Sequence, residues 1–255
     1  MNPDTPAVLI TGATGKLGTA FTDALLNKGY TIIFTSRSAE RIQNFLAERP
    51  DTKSRLYGIS VDFEAQDAIT TTLQALEEKN LWPIALVNNA RNAAHLKMER
   101  PNHPYREGWL GEYLLDVIVP YDLSMSLSSH PASRLKSIVN VASMYGVVAP
   151  TPSLYDNHPM QSPIHYSVAK AAVIHLTKEM AVRLADREIR VNAISYGGVQ
   201  GRVNETFKQR YAKLCPMGRM LEDNEVTGPL EFLVTDMSSG MTGHNLIVDG
   251  GWSIW

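Results

Sequence analysis

A single cysteine, Cys215, stands in a chain of 255 residues, so no disulfide can close within it. No spacing of Cys and His resembles a structural zinc site, and no metal is expected. Apolar runs stay far shorter than the roughly 20 residues needed to cross a bilayer. The opening Met-Asn-Pro-Asp-Thr-Pro lacks both a basic stretch and an apolar signal core. A reducing, cytoplasmic setting is therefore expected. Charge of one sign is scarce too. A formal net charge of -2 and a pI near 6.4 offer no general attraction to nucleic acid or an anionic membrane. Internal repeats, low-complexity tracts and Gly/Ser linkers are missing, so nothing marks a boundary and one domain over residues 1–255 is expected.

What is present is an ordinary globular composition, 44% hydrophobic and 20% charged, able to bury a substantial core. Short β-branched runs, Ala7 to Thr11, Thr31 to Thr35, Leu56 to Val61, Ile84 to Asn88, Ser137 to Val141, Arg190 to Ile194 and Leu246 to Val248, read as strands. Helix-length amphipathic segments separate them. Alternation of this kind requires crossovers that restart each strand in the same direction, hence an α/β fold with a doubly wound, mostly parallel seven-stranded sheet. Prolines 150, 152, 159 and 163 interrupt the stretch from Pro150 to Pro163, which reads as a surface loop.

Directly after the first strand comes Thr11-Gly12-Ala13-Thr14-Gly15-Lys16-Leu17-Gly18, followed by a helix read from Thr19 to about Asn27. Glycines let the backbone turn tightly and approach a pyrophosphate, while the helix start supplies free N–H groups and a positive dipole. Strand, turn and helix in this order predict a dinucleotide site. After the second strand no acid stands ready for the ribose hydroxyls. Ser36-Arg37-Ser38 stands there instead, and Arg37 can pair with a 2′-phosphate, which favours NADP(H) over NAD(H).

Tyr166-Ser167-Val168-Ala169-Lys170 sets a phenol and an ammonium four residues apart, on one face of a helix read from about Ile164 to Leu184. Hydride transfer at a carbonyl carbon needs a proton partner at the oxygen, and a phenol beside cations can serve. Ser143 closes the strand Ser137 to Ser143 with a hydroxyl able to hydrogen-bond a substrate carbonyl.

The order of glycine turn, Asn88-Asn89-Ala90, strand-end Ser143, Tyr166-x-x-x-Lys170, Arg190-Val191-Asn192 and Val248-Asp249-Gly250-Gly251 resembles the short-chain dehydrogenase/reductase family over nearly the whole chain. The resemblance implies Tyr166 as general acid/base, Lys170 supporting it and binding the nicotinamide ribose, and Ser143 orienting the substrate. It also implies that Asp62 and Phe63 meet the adenine, that Asn89 and Ala90 line the cofactor cleft, and that the Val199 backbone holds the carboxamide. A homodimer or homotetramer acting on a small molecule follows from the same likeness.

Three departures stand out. The relay Asn common in the family is replaced, with Ile118 expected at its place. Tyr196 stands where a proline is usual, and Arg91 where a glycine is common. The separation of Ser143 from Tyr166 is long, so a substrate loop at about 144–165, with Tyr155, Asp156, Asn157, His158 and Gln161, is expected to overhang the substrate, with substrate-side helices at about 200–220. The wording around Tyr145-Gly146-Val147-Val148-Ala149-Pro150 resembles family members of flagellar or surface-sugar modification, implying a sugar or amino-sugar substrate. Alternatives are a 3-oxoacyl or other small-ketone reductase and, outside enzymes, a cofactor-binding sensor or structural subunit. Trp252, Trp255, Met217 and Met220 are expected to pack rather than react.

Overall fold

The computed structural model describes residues 5–201 and 203–255. Met1–Asp4, part of the segment read for a signal, and Arg202, within the predicted 200–220 stretch, lie outside the described residues. The elements run β1 Ala7–Ile10, α1 Lys16–Asn27, β2 Thr31–Ser36, α2 Ala39–Ala47, β3 Leu56–Ser60, α3 Ala68–Lys79 and β4 Ala85–Asn88. There follow a small hairpin of β5 Met98–Arg100 and β6 His103–Pro104, then α4 Arg106–Tyr113, a π-helical turn Leu114–Ile118, α5 Val119–Ser129 and β7 Ser137–Ser143. The chain continues through α6 His158–Gln161, α7 Ile164–Arg183, β8 Arg190–Tyr196, α8 Glu205–Leu214, α9 Thr227–Val234 and β9 Asn245–Val248.

Seven strands form one sheet in the order β3-β2-β1-β4-β7-β8-β9, every pair parallel. Strand order reverses between β1 and β4, and a doubly wound sheet opens its ligand crevice at the strand carboxyl ends beside such a switch point. The strands β1, β2, β4 and β7 are buried throughout, as helices on both faces require. Alternation along each strand divides the core. Val8, Ile10, Ile32, Phe34, Val139 and Val141 meet α1, α2 and α9 through Phe21, Leu25, Phe45 and Leu230. Leu9, Ile33, Leu86 and Ile138 meet α3, α5 and α7 through Leu76, Leu123, Leu127 and Met180. Each fully buried Phe or Leu of this kind stabilises the fold by about 2 kcal/mol.

On the α5 and α7 face a buried polar chain joins four elements. Asn88 Nδ2 donates to Asn140 Oδ1 (2.8 Å), whose Nδ2 donates to Thr177 Oγ1 (2.9 Å). Ser124 Oγ accepts from the same Asn88 amide. The family-like motifs toward the end of the chain are also structural. Arg190 donates to the carbonyls of Leu233, Thr235 and Ser238, and Asp249 accepts from the N–H groups of Gly251 and Ser253. Among the described residues no helix is long and apolar enough to cross a membrane.

Candidate active site at the strand carboxyl ends

The turn after β1 is built for close backbone approach. Gly12 sits at φ +65°, and a Cβ there would fall 2.8 Å from Ala90 Cα. Thr11 Oγ1 accepts from the N–H groups of Asn89 and Ala90, and Asn89 Nδ2 donates to the carbonyls of Thr11 and Gly12. Asn89 and Ala90 therefore brace the glycine turn from below. Gly12 N–H donates to Thr35 Oγ1 (3.1 Å), which ties the turn to β2 as well. The helix α1 starts at Gly15 with no side-chain cap and no acid in its first turn. Its leading N–H groups thus remain for an anion, as a cofactor pyrophosphate requires. Leu17 packs on the core and Gly18 abuts Gly12 and Ala13.

Around this turn the predicted selectivity residues gather. Thr14 Oγ1 lies 3.4 Å from Ser36 Oγ. Ser38 caps α2 by accepting from Arg41 N–H, so the Ser-Arg-Ser segment starts a helix as well as edging the cleft. Arg37 Nη1 is 3.5 Å from Glu64 Oε1, which also accepts from Asn92 Nδ2 (2.7 Å) and lies 3.2 Å from His95 Nε2. Burial works against the Glu64 anion, but Asn92, His95 and Arg37 together hold its carboxyl below the usual range. Asp62 is exposed and accepts from Glu64 N–H, while the Phe63 side chain is core, leaving its backbone alone to meet a cofactor. Lys16 Nζ pairs with Asp223 at 3.1 Å. Val199 bridges Leu221 in parallel through bonds made by Gly198 and Gln200, so the N–H and C=O of Val199 stay out of the pairing.

At the other side of the crevice Tyr166 and Lys170 lie in the first turns of α7. Lys170 Nζ is 5.8 Å from the centre of the Tyr166 ring, and the Arg91 guanidinium stands 4.8 Å from the same centre. Lys170 is buried and donates to Asp116 Oδ1 (2.8 Å) and to Val141 O (3.0 Å). The ammonium is thereby aimed by one strand and one helix. Ser143, buried at the end of β7, accepts from Tyr145 N–H (3.2 Å) and caps a short turn, Met144–Gly146. That turn lies against α7, where a Cβ on Gly146 would fall 2.6 Å from the Lys170 carbonyl. Glycine here lets the Ser143 turn and the Lys170 turn close on one another.

The substrate side corrects two expectations. Ile118 is 49% exposed, and the side chain that meets Lys170 is Asp116, 7% exposed, in the π-helical turn. The stretch from Pro150 to Pro163 is more than a surface loop: it holds the turn Pro152–Leu154 and α6, and buries Leu154 against Met144, Tyr211, Met220 and Trp252. Trp252 and Met220 pack there as expected, whereas Met217 and Trp255 are exposed. Tyr196 is core, donating to Val226 O at 2.6 Å, and offers nothing to a ligand.

The loop faces Tyr166 with two further phenols. Tyr155 donates to Tyr145 Oη at 2.9 Å. Burial first, and each other's proximity next, pushes Tyr145 well above the ordinary phenol range. Burial likewise raises Tyr155. Both stay neutral donors or acceptors beside the reacting centre. Beside α4, His165 Nε2 donates to His95 O at 2.7 Å, and its buried Nδ1 has no partner. A second proton there would go unsatisfied, and burial holds His165 below the usual histidine range. Sequence reasoning missed Asp116, Glu112 and His165. Their only signal is the placing of acids and a histidine inside apolar helical stretches.

A parallel sheet with this crevice, glycine turn and Tyr-Lys pair defines a Rossmann-type nicotinamide oxidoreductase. A family model described as enoyl-(acyl carrier protein) reductase matches residues 12–253. The chain belongs to the short-chain dehydrogenase/reductase family. It is 27% identical over 268 residues to post-translational flagellin modification protein A of Campylobacter coli, covering 97% of this chain and 98% of the relative. It is 29% identical over 259 residues to 3-oxoacyl-(acyl-carrier-protein) reductase FabG of Thermotoga maritima, covering 95% and 96%. Among solved structures, a short chain dehydrogenase from Leptospira borgpetersenii with bound NAD+ superposes with a TM-score of 0.82 at 27% identity, over 98% of this chain and 93% of that one. The chain is thus an oxidoreductase with a nicotinamide cofactor.

Proposed function

We propose that the protein interconverts a carbonyl and an alcohol on a sugar or amino-sugar derivative, with Tyr166 as general acid/base, Lys170 as its cationic support and Ser143 as the donor that orients the substrate oxygen. The observation that carries this reading is Tyr166 set beside two cations, Lys170 and Arg91, at the strand carboxyl ends. The bound cofactor supplies or accepts the hydride. Tyr166 gives its phenolic proton to the substrate oxygen in reduction and takes it back in oxidation. Tyr145 and Tyr155 offer hydroxyls to a hydroxyl-rich substrate.

Gly12, Thr14, Gly15, Lys16, Leu17 and Gly18 take the pyrophosphate; Asp62 and the Phe63 backbone meet the adenine; Asn89, Ala90 and Val199 bound the nicotinamide half. Ser36 and Arg37 favour NADP(H), with Arg37 turning from Glu64 to a 2′-phosphate. Self-association as a dimer or tetramer is supported by the open edge of β9, where Met217 and Ile247 line a cleft of about 660 Å³. The buried lone Cys215 suits a reducing cytoplasm.

The FabG relative favours a second reading, reduction of a 3-oxoacyl thioester or other small ketone. A turnover screen of sugar and amino-sugar ketones against acyl ketones, each with NADPH and NADH, decides between them. Preference for the sugars supports the first reading, preference for acyl ketones replaces it, and tight cofactor binding without any turnover overturns both.

A further inference from the structure

The backbone that carries Arg91 is fastened on both sides. Before it, the N–H groups of Asn89 and Ala90 donate to Thr11 Oγ1. After it, Asn92 donates to Glu64 Oε1 (2.7 Å) and accepts from Ala94 N–H, and His95 O accepts from His165 Nε2 of α7 (2.7 Å). Farther along the same segment Asn102 N–H donates to Pro159 O (2.8 Å), which ties the β5–β6 hairpin to α6 of the substrate loop. The stretch between β4 and α4 therefore forms a rim that runs from the glycine turn to the substrate loop, with Arg91 at its start.

The Arg91 side chain is placed but not paired. It is exposed, its guanidinium stands over the Tyr166 ring 4.8 Å from the centre, and no acceptor among the described residues bonds to it. The acids nearby are engaged elsewhere: Glu64 with Arg37, His95 and Asn92, Asp116 with Lys170, and Asp156 with Arg210. Glu112 feels the Arg91 charge from a buried position on α4, without an ion pair. A cation with five donors, held on a fixed backbone and without a protein acceptor, is prepared for an anion from outside the chain.

Its position selects the anion. The hydroxyl that reacts belongs to the ring beneath Arg91, so a group bound to the guanidinium lies only a few bonds from the substrate carbonyl. Lys170 is neutralised by Asp116, which leaves Arg91 as the uncompensated charge beside Tyr166. A carboxylate, with one charge and two coplanar oxygens, matches that planar fork, whereas a phosphate dianion would keep a second charge unbalanced.

We propose that Arg91 determines specificity by gripping a carboxylate of the substrate a few bonds from the carbonyl that Tyr166 protonates, so that the substrate is an oxo or hydroxy acid. This rests on the reading of Tyr166 given above. The grip holds the substrate at a second point and, with the hydrogen bond from Ser143, sets the carbonyl against the Tyr166 hydroxyl. A neutral ester or amide of the same shape loses the charge-assisted part of that hold.

Reduction by NADPH of two matched pairs, 2-oxogluconate with its methyl ester and 3-oxobutanoate with its amide, tests the assignment. The acid of a pair is expected to exceed its neutral partner about 10- to 100-fold in kcat/KM, mainly through KM. That ratio falls toward one in Arg91→Gln and is kept in part in Arg91→Lys, with the NADPH Kd unchanged in both. An exposed side chain without protein bonds tolerates these substitutions, so the variants fold. Equal use of acid and neutral partner by the wild type, or a ratio that survives Arg91→Gln, overturns the proposal. A loss of NADPH affinity as large as the loss for the acid also overturns it, by moving Arg91 onto the phosphates of the cofactor. Preference for dihydroxyacetone phosphate over both acids overturns the carboxylate. If no probe turns over, quenching of bound NADPH fluorescence by the same pairs decides by the same ratios, and failure of both acids to bind overturns the proposal. Full activity in Tyr166→Phe sinks the parent reading instead, while an acid preference that depends on Arg91 still stands. An acid preference confined to the 3-oxobutanoate pair replaces the sugar and leaves Arg91 its carboxylate.

Discussion

The two walls of the crevice are built on different terms. On the glycine-turn side, polar groups are settled by backbone partners: Thr11, Asn89 and Thr35 fasten Gly12 and Ala90 in place. On the α4–α7 side, Asp116 Oδ2, His165 Nδ1 and Ser167 Oγ are buried without partners, three of the five such atoms among the described residues. Unsatisfied polar atoms cost stability, so their clustering on one wall marks where stability has been given up for chemistry. The first wall is a fixed cradle. The second keeps polar atoms without protein partners.

That contrast can be broken most sharply at Tyr166. Tyr166→Phe is expected to cut kcat by about 100-fold or more with the cofactor Kd unchanged, measured by nicotinamide absorbance and by fluorescence titration. A parallel loss of cofactor affinity would erase the division between the walls. Next in size, Arg37→Asp should weaken NADPH about tenfold more than NADH in the same titration, as loss of a charge-assisted bond to phosphate predicts. Equal loss for both nucleotides refutes the 2′-phosphate role. Gly12→Ala tests the rigidity of the cradle: a left-handed φ and the 2.8 Å approach of Ala90 predict a loss of about 1–2 kcal/mol in denaturant unfolding. Unchanged stability would mean that the turn yields where the contrast requires it to hold.

The smallest effects lie in pH and separate two groups of the second wall by sign. His165 is held below its ordinary range, so its contribution to stability is present above that range and lost as pH falls through it. Glu112 is held above its ordinary range, so its contribution is present at low pH and lost as pH rises through the raised value. Thermal unfolding followed from pH 5 to 8 should show both, with the second removed in Glu112→Gln. A curve that Glu112→Gln leaves unaltered on its alkaline side would separate Glu112 from the wall.

Legibility from sequence follows the same division. β-branched runs bounded by turn residues gave strand positions within a residue or two, because a doubly buried parallel strand has few other compositions open to it. The glycine turn was equally plain, since its conformation demands glycine. Tyr166 and Lys170 were visible because regular helical spacing places both in the first turns of α7. The π turn left no mark in composition, and the side chain on it that meets Lys170 is Asp116 rather than Ile118. The hairpin β5–β6 is too short for periodicity, its turn resting on Asn102 at positive φ. Buried ionisation states depend on neighbours far along the chain, as when Arg91 and Lys170 both bear on Glu112.

The fastening of the substrate loop has a consequence for redesign. Tyr155 is tied to Tyr145 by its hydroxyl and to Phe207 of α8 edge to face, Asp156 pairs with Arg210 of α8, and Leu154 is buried beneath them. Loop and α8 form one exchangeable cassette. Transplanting residues 144–165 alone into a relative would part Tyr155 from Phe207 and Asp156 from Arg210, whereas moving α8 with them carries the recognition surface whole.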